Sequence, residues 1–161
     1  MRSTNHNQQN IQASILDRLI DNEPGVSREP VQYRLSNFAQ AKASVIRDLE
    51  KLLNTKCSIY YPPPAYRELN NSLFVYGLRD FTSQNPKSQP VRQQLRQDIE
   101  KTIARFEPRL KNVTVRIETN AQSERNLRLR ITGLLVLDPI TEPVTFDTFF
   151  DINRGEYSIQ K

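Results

Sequence analysis

The residues of this chain best suited to acid–base chemistry are four carboxylates, Asp48, Glu50, Asp80 and Glu107. Glycoside hydrolysis needs only two such acids several ångströms apart. Asp48 and Glu50 are two positions apart on a helical stretch, so they point to different sides. Acids in that setting more often pair with neighbouring Arg and Lys. Nucleophilic catalysis is poorly provided for. His6 is the single histidine and lies in a polar tail, so a Ser–His or Cys–His pair would depend on that tail. There is no G-x-S-x-G, H-E-x-x-H or phosphate-binding glycine loop, and the chain has only four glycines. Cys57 stands alone, which excludes an internal disulfide and a thiolate cluster and leaves zinc without its usual ligands. The expectation is a protein with no catalytic residue, no metal and no cofactor.

Glu107-Pro108-Arg109 offers a different chemistry. Proline cannot donate a backbone hydrogen bond and clashes with the carbonyl four residues back, so a helix stops there. The residue before it is pushed toward an extended conformation. Two opposite charges are thereby expected on a stiff, exposed corner, which is either punctuation or a docking post.

The elements around that corner follow from periodicity. Residues 1–10 (MRSTNHNQQN) carry almost nothing apolar and read as disordered. Ile11, Ile15 and Leu19, with Leu16 and Ile20, mark a short amphipathic helix, followed by a linker with Pro24, Gly25 and Pro30. Asn37 and Gln40 resemble a capping box. Phe38, Ala41, Val45, Ile46, Leu49, Leu52 and Leu53 then predict a helix over 38–54. Ile59 to Pro64 must be extended, and a short helix or tight turn is expected around Leu73 to Leu78. Residues 82–90 read as a polar loop. Val91, Leu95, Ile99, Ile103 and Phe106 define a second long helix, ended by Pro108.

Beyond the corner the period switches to that of strands. Val113, Val115 and Ile117 alternate with polar residues, as do Leu127, Leu129 and Ile131. Val144, Phe146, Thr148, Phe150 and Ile152 form a third face. Asn153-Arg154-Gly155 is a turn before a last short strand with Tyr157 and Ile159. Gly133 suggests a bulge. The fold class is α+β, with N-terminal helices packed on one face of a C-terminal antiparallel sheet of about four strands. The organisation expected is a flexible arm over 1–35 and a single domain over 36–161.

Charge and hydropathy narrow the partners. The net charge of +5 comes from 23 basic and 18 acidic residues, a mixture that suits an acidic partner surface. Mean hydropathy is −0.65, and no apolar run approaches a membrane span or a signal peptide, so a cytoplasmic protein without membrane insertion is expected. Arg116, Arg128 and Arg130 share an outward strand face that could track phosphates. Stacking aromatics are missing from that face, because Phe146 and Phe150 lie on the apolar one, and Glu118 would sit beside Arg128. A solvated face is favoured over nucleic-acid binding. The last strand, Glu156, Tyr157, Ser158, Ile159 and Gln160, is expected at a sheet edge. Such edges accept strands from other chains or are simply protected by shortness and charge.

Three segments together resemble one family. Ala43 to Lys56 is similar to an S-x-x-x-D-L-x-x-L-L-N-T-[RK] helix. Ser72 to Phe81 is similar to an S-x-x-x-Y-G-L-x-D segment, with Arg79 where proline is frequent. Phe106 to Leu110 carries an E-P-R motif. Ser14 to Leu19 matches a short N-terminal segment. In this order, over roughly 11–160, they resemble the TssE family of type VI secretion baseplate wedge subunits, related to a small wedge protein of contractile phage tails. The resemblance implies a structural role at the cytoplasmic face of the inner membrane. It implies that Glu107, Pro108 and Arg109 contact the core bundle of TssF and TssG, with TssK as a further wedge-side candidate. It also implies that the terminal sheet accepts strands from the sheath subunits TssB and TssC. Relatives are often labelled lysozyme-like, so a peptidoglycan hydrolase is the rival from another class, and an anti-adaptor-type binding protein is the third reading.

Overall fold

The computed structural model describes residues 11–12, 14–20, 24–25, 35–36, 38–85, 88–118, 126–138 and 140–160. The expected tail 1–10 with His6, the capping residue Asn37 and Lys161 lie outside them. The chain forms two compact units, 1–45 and 46–161.

In the first unit, β1 (Ile11–Gln12) pairs antiparallel with β2 (Leu35–Ser36). Ile11 therefore stands in a strand, and helix α1 is confined to Ile15–Leu19. Ser14 caps it by accepting from the Asp17 N–H. Asp17 also accepts from the Ser44 hydroxyl at 2.8 Å, which ties α1 to the first turns of α2 (Phe38–Asn54). Of the expected apolar stripe, Ile15 and Leu19 are 70% and 75% exposed.

The second unit holds the last turns of α2, α3 (Arg67–Asn70), a 3-10 turn at Leu73–Val75, α4 (Gln89–Phe106) and a sheet. The sheet has the order β3-β4-β5-β6, with β3 Leu110–Glu118, β4 Asn126–Leu137, β5 Ile140–Asp151 and β6 Glu156–Ile159. All its pairings are antiparallel, so helices followed by one meandering sheet make the fold α+β. Alternation buries one face, where Val115, Leu129, Ile131, Phe146 and Ile159 lie in the core, and α4 packs against β3 through Leu95, Ile99 and Ile103. On the other face Glu118, Arg128, Arg130 and Asp147 form a shared ion-pair network. Arg128 and Arg130 are thus partnered.

Gly133 does not bulge; it stays in register with Val144. The extra residue is across the ladder in β3, where the register shifts between Lys111 and Thr114 and Asn112 has φ of 52°. A Cβ on Gly133 would stand 3.1 Å from the Lys111 carbonyl oxygen, so the glycine makes room for its neighbour's bulge. The bulge flips the parity of β3 and lets both Leu110 and Val115 face the core.

Candidate functional site

The corner is built where α4 meets Pro108. The helix ends at Phe106, and Glu107 leaves the helical region at φ −120° and ψ 81°, with its N–H still bonded to the Ile103 carbonyl. Pro108 is exposed. Glu107 is not: it is 4% exposed, which corrects the expectation of two outward charges. Arg109 folds back and donates Nε to Glu107 Oε1 and Nη2 to Oε2, both at 2.6 Å. The same Nη2 donates to Asp48 Oδ2 on α2 at 2.7 Å. Asp48 in turn accepts from Arg47 Nε and Nη2 at 3.1 Å. The Glu107 carboxylate, followed by burial working against it and by Asp48, holds the Arg109 guanidinium well above its ordinary range. Burial, with the negative charge of Asp48 and Glu107 added, raises the phenol of Tyr76, whose ring meets Phe106 edge-on at 5.1 Å.

The other motif segments converge on the end of the same helix. Leu78 N–H donates to the Thr55 carbonyl and Cys57 N–H to the Leu78 carbonyl, both at 2.9 Å. Lys56 Nζ reaches Asp80 Oδ2 at 2.8 Å, and this contact, with the Thr82 hydrogen bonds, holds the Asp80 carboxyl below the usual range. Gly77 has φ of 103°, and a Cβ there would collide with the Thr55 carbonyl. Arg79, the departure from the motif, grips Asp98 of α4 through Nε and Nη2 at 2.8 and 2.6 Å.

Helix side chains also cover both sheet edges. Asn54 Oδ1 accepts from the Tyr157 N–H at 2.7 Å while its Nδ2 donates to the Tyr157 carbonyl at 2.9 Å. Glu50 Oε1 accepts from the Ile159 N–H at 2.9 Å. On the opposite edge, Glu100 of α4 accepts from the Val115 N–H at 2.9 Å. Thus β6, Glu156–Ile159, lies at the sheet edge with Gln160 just beyond it, and the N–H and carbonyl of Tyr157 and the N–H of Ile159 are already engaged. Sequence reading missed Asp48, Asn54 and Glu50 as partners, although Asp48 and Asn54 are letters of the first motif.

For the four acids, the structure supplies structural work. Asp48 and Glu107 share Arg109, Glu50 holds β6, and Asp80 holds Lys56 and Thr82. Both oxygens of Glu107 are engaged by the Arg109 guanidinium. Among the described residues no cluster of His, Cys, Asp and Glu could hold a metal ion, and no helix is long and apolar enough to cross a membrane.

The family model described as "Baseplate wedge protein gp25" matches residues 39–140. That span contains α2 from its second residue on, the Tyr76-Gly77-Leu78 segment and the Glu107-Pro108-Arg109 corner. The chain is also similar to one in a solved structure described as "The baseplate complex from the type VI secretion system". The two share 18% identity at a TM-score of 0.47, over 69% of this chain and 94% of that one. No curated protein matches the sequence.

Proposed function

Since the chain belongs to the family of baseplate wedge protein gp25, we propose that it is the wedge subunit that joins the baseplate of a type VI secretion system to its contractile sheath. A structural baseplate role is what the family carries. The three ordered motifs favour the secretion system over a phage tail. In this reading the corner meets the TssF and TssG core bundle, with TssK nearby, and the sheet templates TssB and TssC by strand augmentation. The complex assembles at the cytoplasmic face of the inner membrane.

The observation that carries the wedge contact is the fixed geometry of the corner. Pro108 is exposed while Arg109 is bound both to Glu107 and to Asp48. Glu107 thus sets the post rather than touching the partner, and Pro108 with the outer part of Arg109 forms the contact. A post already ordered loses little entropy on docking. The test is recovery of co-expressed TssF and TssG on the tagged chain. Pro108→Glu adds a charge at the exposed tip and leaves the ion pair in place. It should cut recovery about tenfold or more while the melting temperature stays unchanged. Recovery equal to wild type would refute the docking role.

A further inference from the structure

In the second unit, the large apolar side chains left exposed among the described residues stand, apart from Val136, in one excursion between α2 and α4. The excursion is a folded knob. Pro62 and Val75 are buried within it. The Pro63 carbonyl accepts from the Tyr66 N–H at 3.0 Å and from Asn70 Nδ2 at 2.9 Å, which ties the proline run to α3. Tyr60 meets Phe74 edge-on, with ring centroids 6.4 Å apart. On this frame Ile59 is fully exposed, Leu73 is 79% exposed, and Tyr60, Tyr66, Leu69 and Phe74 are exposed as well. Together the six side chains present on the order of 800 Å², more than the largest apolar patch an ordinary monomer leaves in water.

Charge decides what can cover the knob. The chain carries a net +5, so two copies repel over much of their surface. Around the knob that charge is cancelled, because Lys56 is held by Asp80 and Arg79 by Asp98. A membrane with anionic headgroups gains little from such a neutral rim. Arg67 and Glu68, adjacent on α3 and both exposed, make no ion pair among the described residues. We propose that the knob is a self-association surface whose occupant is the knob of a second copy of this chain, related by a two-fold axis beside α3. A two-fold contact uses the same patch on both sides, and it sets each Arg67 against the Glu68 of the other copy. The area per copy matches the half-share of a standard stable interface, about 800 Å². Tyr and Phe are also the side chains that interface cores favour. The proposal rests on neither the wedge contact nor the sheath contact proposed above.

Sedimentation equilibrium of the full chain should show a monomer–dimer equilibrium at micromolar concentrations. Leu73→Asp places a charge on the exposed face of the knob. It should weaken the dimer about tenfold or more while the circular dichroism spectrum stays that of wild type. Arg67→Glu and Glu68→Arg each set like charges across the axis, so each alone should dimerise more weakly. Mixed in equal amounts they should pair again, because the mixture restores an opposite-charge contact at both ends. A merely structural role for these residues predicts no such rescue. A mixture that fails to recover, or a wild-type chain that stays monomeric throughout, would overturn the proposal. So would a monomeric chain that loses capture by co-expressed TssF and TssG, or by phosphatidylglycerol vesicles, on Leu73→Asp. That result would assign the knob to a wedge partner or to a membrane.

Discussion

Arg109 closes on Glu107 two residues away with a two-pronged ion pair, and the carboxylate side chain keeps only 5% of its exposure against 24% for the arginine. The pair is thus a buried acid under a partly exposed lid, and the lid is pinned sideways by Asp48 at 2.7 Å.

Removing the lid should unfold the corner before it informs on docking. Arg109→Ala leaves Glu107 buried without a counter-charge, a change that costs ~3–5 kcal/mol. Urea unfolding should show that loss, and Glu107→Gln should be milder because Gln still accepts from Arg109. The double replacement of Glu107 and Arg109 by Met should recover most of the stability, since apolar substitutes for a buried pair are often near neutral. If Arg109→Ala unfolds at the wild-type urea midpoint, the pair is not what holds the corner.

Gly77 joins two segments that are distant in sequence. Its backbone, at φ 103°, lies against the Thr55 carbonyl, and the flanking bonds between Thr55, Cys57 and Leu78 depend on that approach. Gly77→Ala meets both a disfavoured backbone region and a backbone clash, at a cost of about 2 kcal/mol or more. The melting temperature should fall by about 5 °C or more. A shift under one degree would show that the segment relaxes freely.

Much of this architecture was legible because its signals are local. The apolar stripe from Phe38 to Leu53 gives α2 its observed bounds, and Pro108 ends α4 at Phe106. Alternation marks the strands, although β5 starts at Ile140, before the face that opens at Val144, because the run Leu134 to Leu137 simply continues β4. What escaped was nonlocal. Glu107 reads as exposed because it is a charged residue at a proline-ended helix terminus, and only the fold brings Asp48, 61 positions away, onto Arg109. Glycine is the visible letter for a bulge at Gly133, yet the extra residue sits in the partner strand. The capping of β6 by Asn54, 103 positions from Tyr157, leaves no mark in either segment.

Thr148 carries a buried hydroxyl with no hydrogen-bond partner among the described residues, in a β-branched position of the core face. Valine has the same shape without the polar atom. Thr148→Val should stabilise the second unit by ~1 kcal/mol, the lower end of the cost of an unsatisfied buried group. Chemical denaturation would measure it, and a destabilised variant would mean the hydroxyl is satisfied by water.

Tyr157 links the edge to alkaline stability. Burial in the core, with the negative charge of Asp80 second, pushes its phenol well above the usual range. The folded state therefore holds this proton longer than the unfolded state does. The stabilisation is complete below the unfolded value of about 10 and declines as pH rises past it, by at most ~1.4 kcal/mol per pH unit for one group. Tyr157→Phe should flatten stability between pH 9 and pH 11, as read from denaturation midpoints relative to wild type. An unchanged slope would mean the phenol ionises freely in the folded protein.

The two side chains that cover β6 should act as guards as well as struts. Asn54→Ala removes both bonds to the Tyr157 backbone, and Glu50→Ala frees the Ile159 N–H. Each lost cap should cost ~1–2 kcal/mol, because the backbone groups it served regain water only in part. The larger consequence is at the edge itself. Uncovered donors and acceptors on a flat strand template pairing with any other chain, and the nearest source in a concentrated sample is the same β6 of another molecule. In a Leu73→Asp background, which silences the knob, the double variant should therefore shift toward dimers or larger species in size-exclusion chromatography with light scattering, in proportion to concentration. Adding Ser158→Lys on the exposed face of β6 should reverse the shift, since like charges brought side by side oppose pairing. A double variant that stays monomeric at every concentration would mean that the caps stabilise β6 without shielding it, and that the edge is protected by its shortness alone.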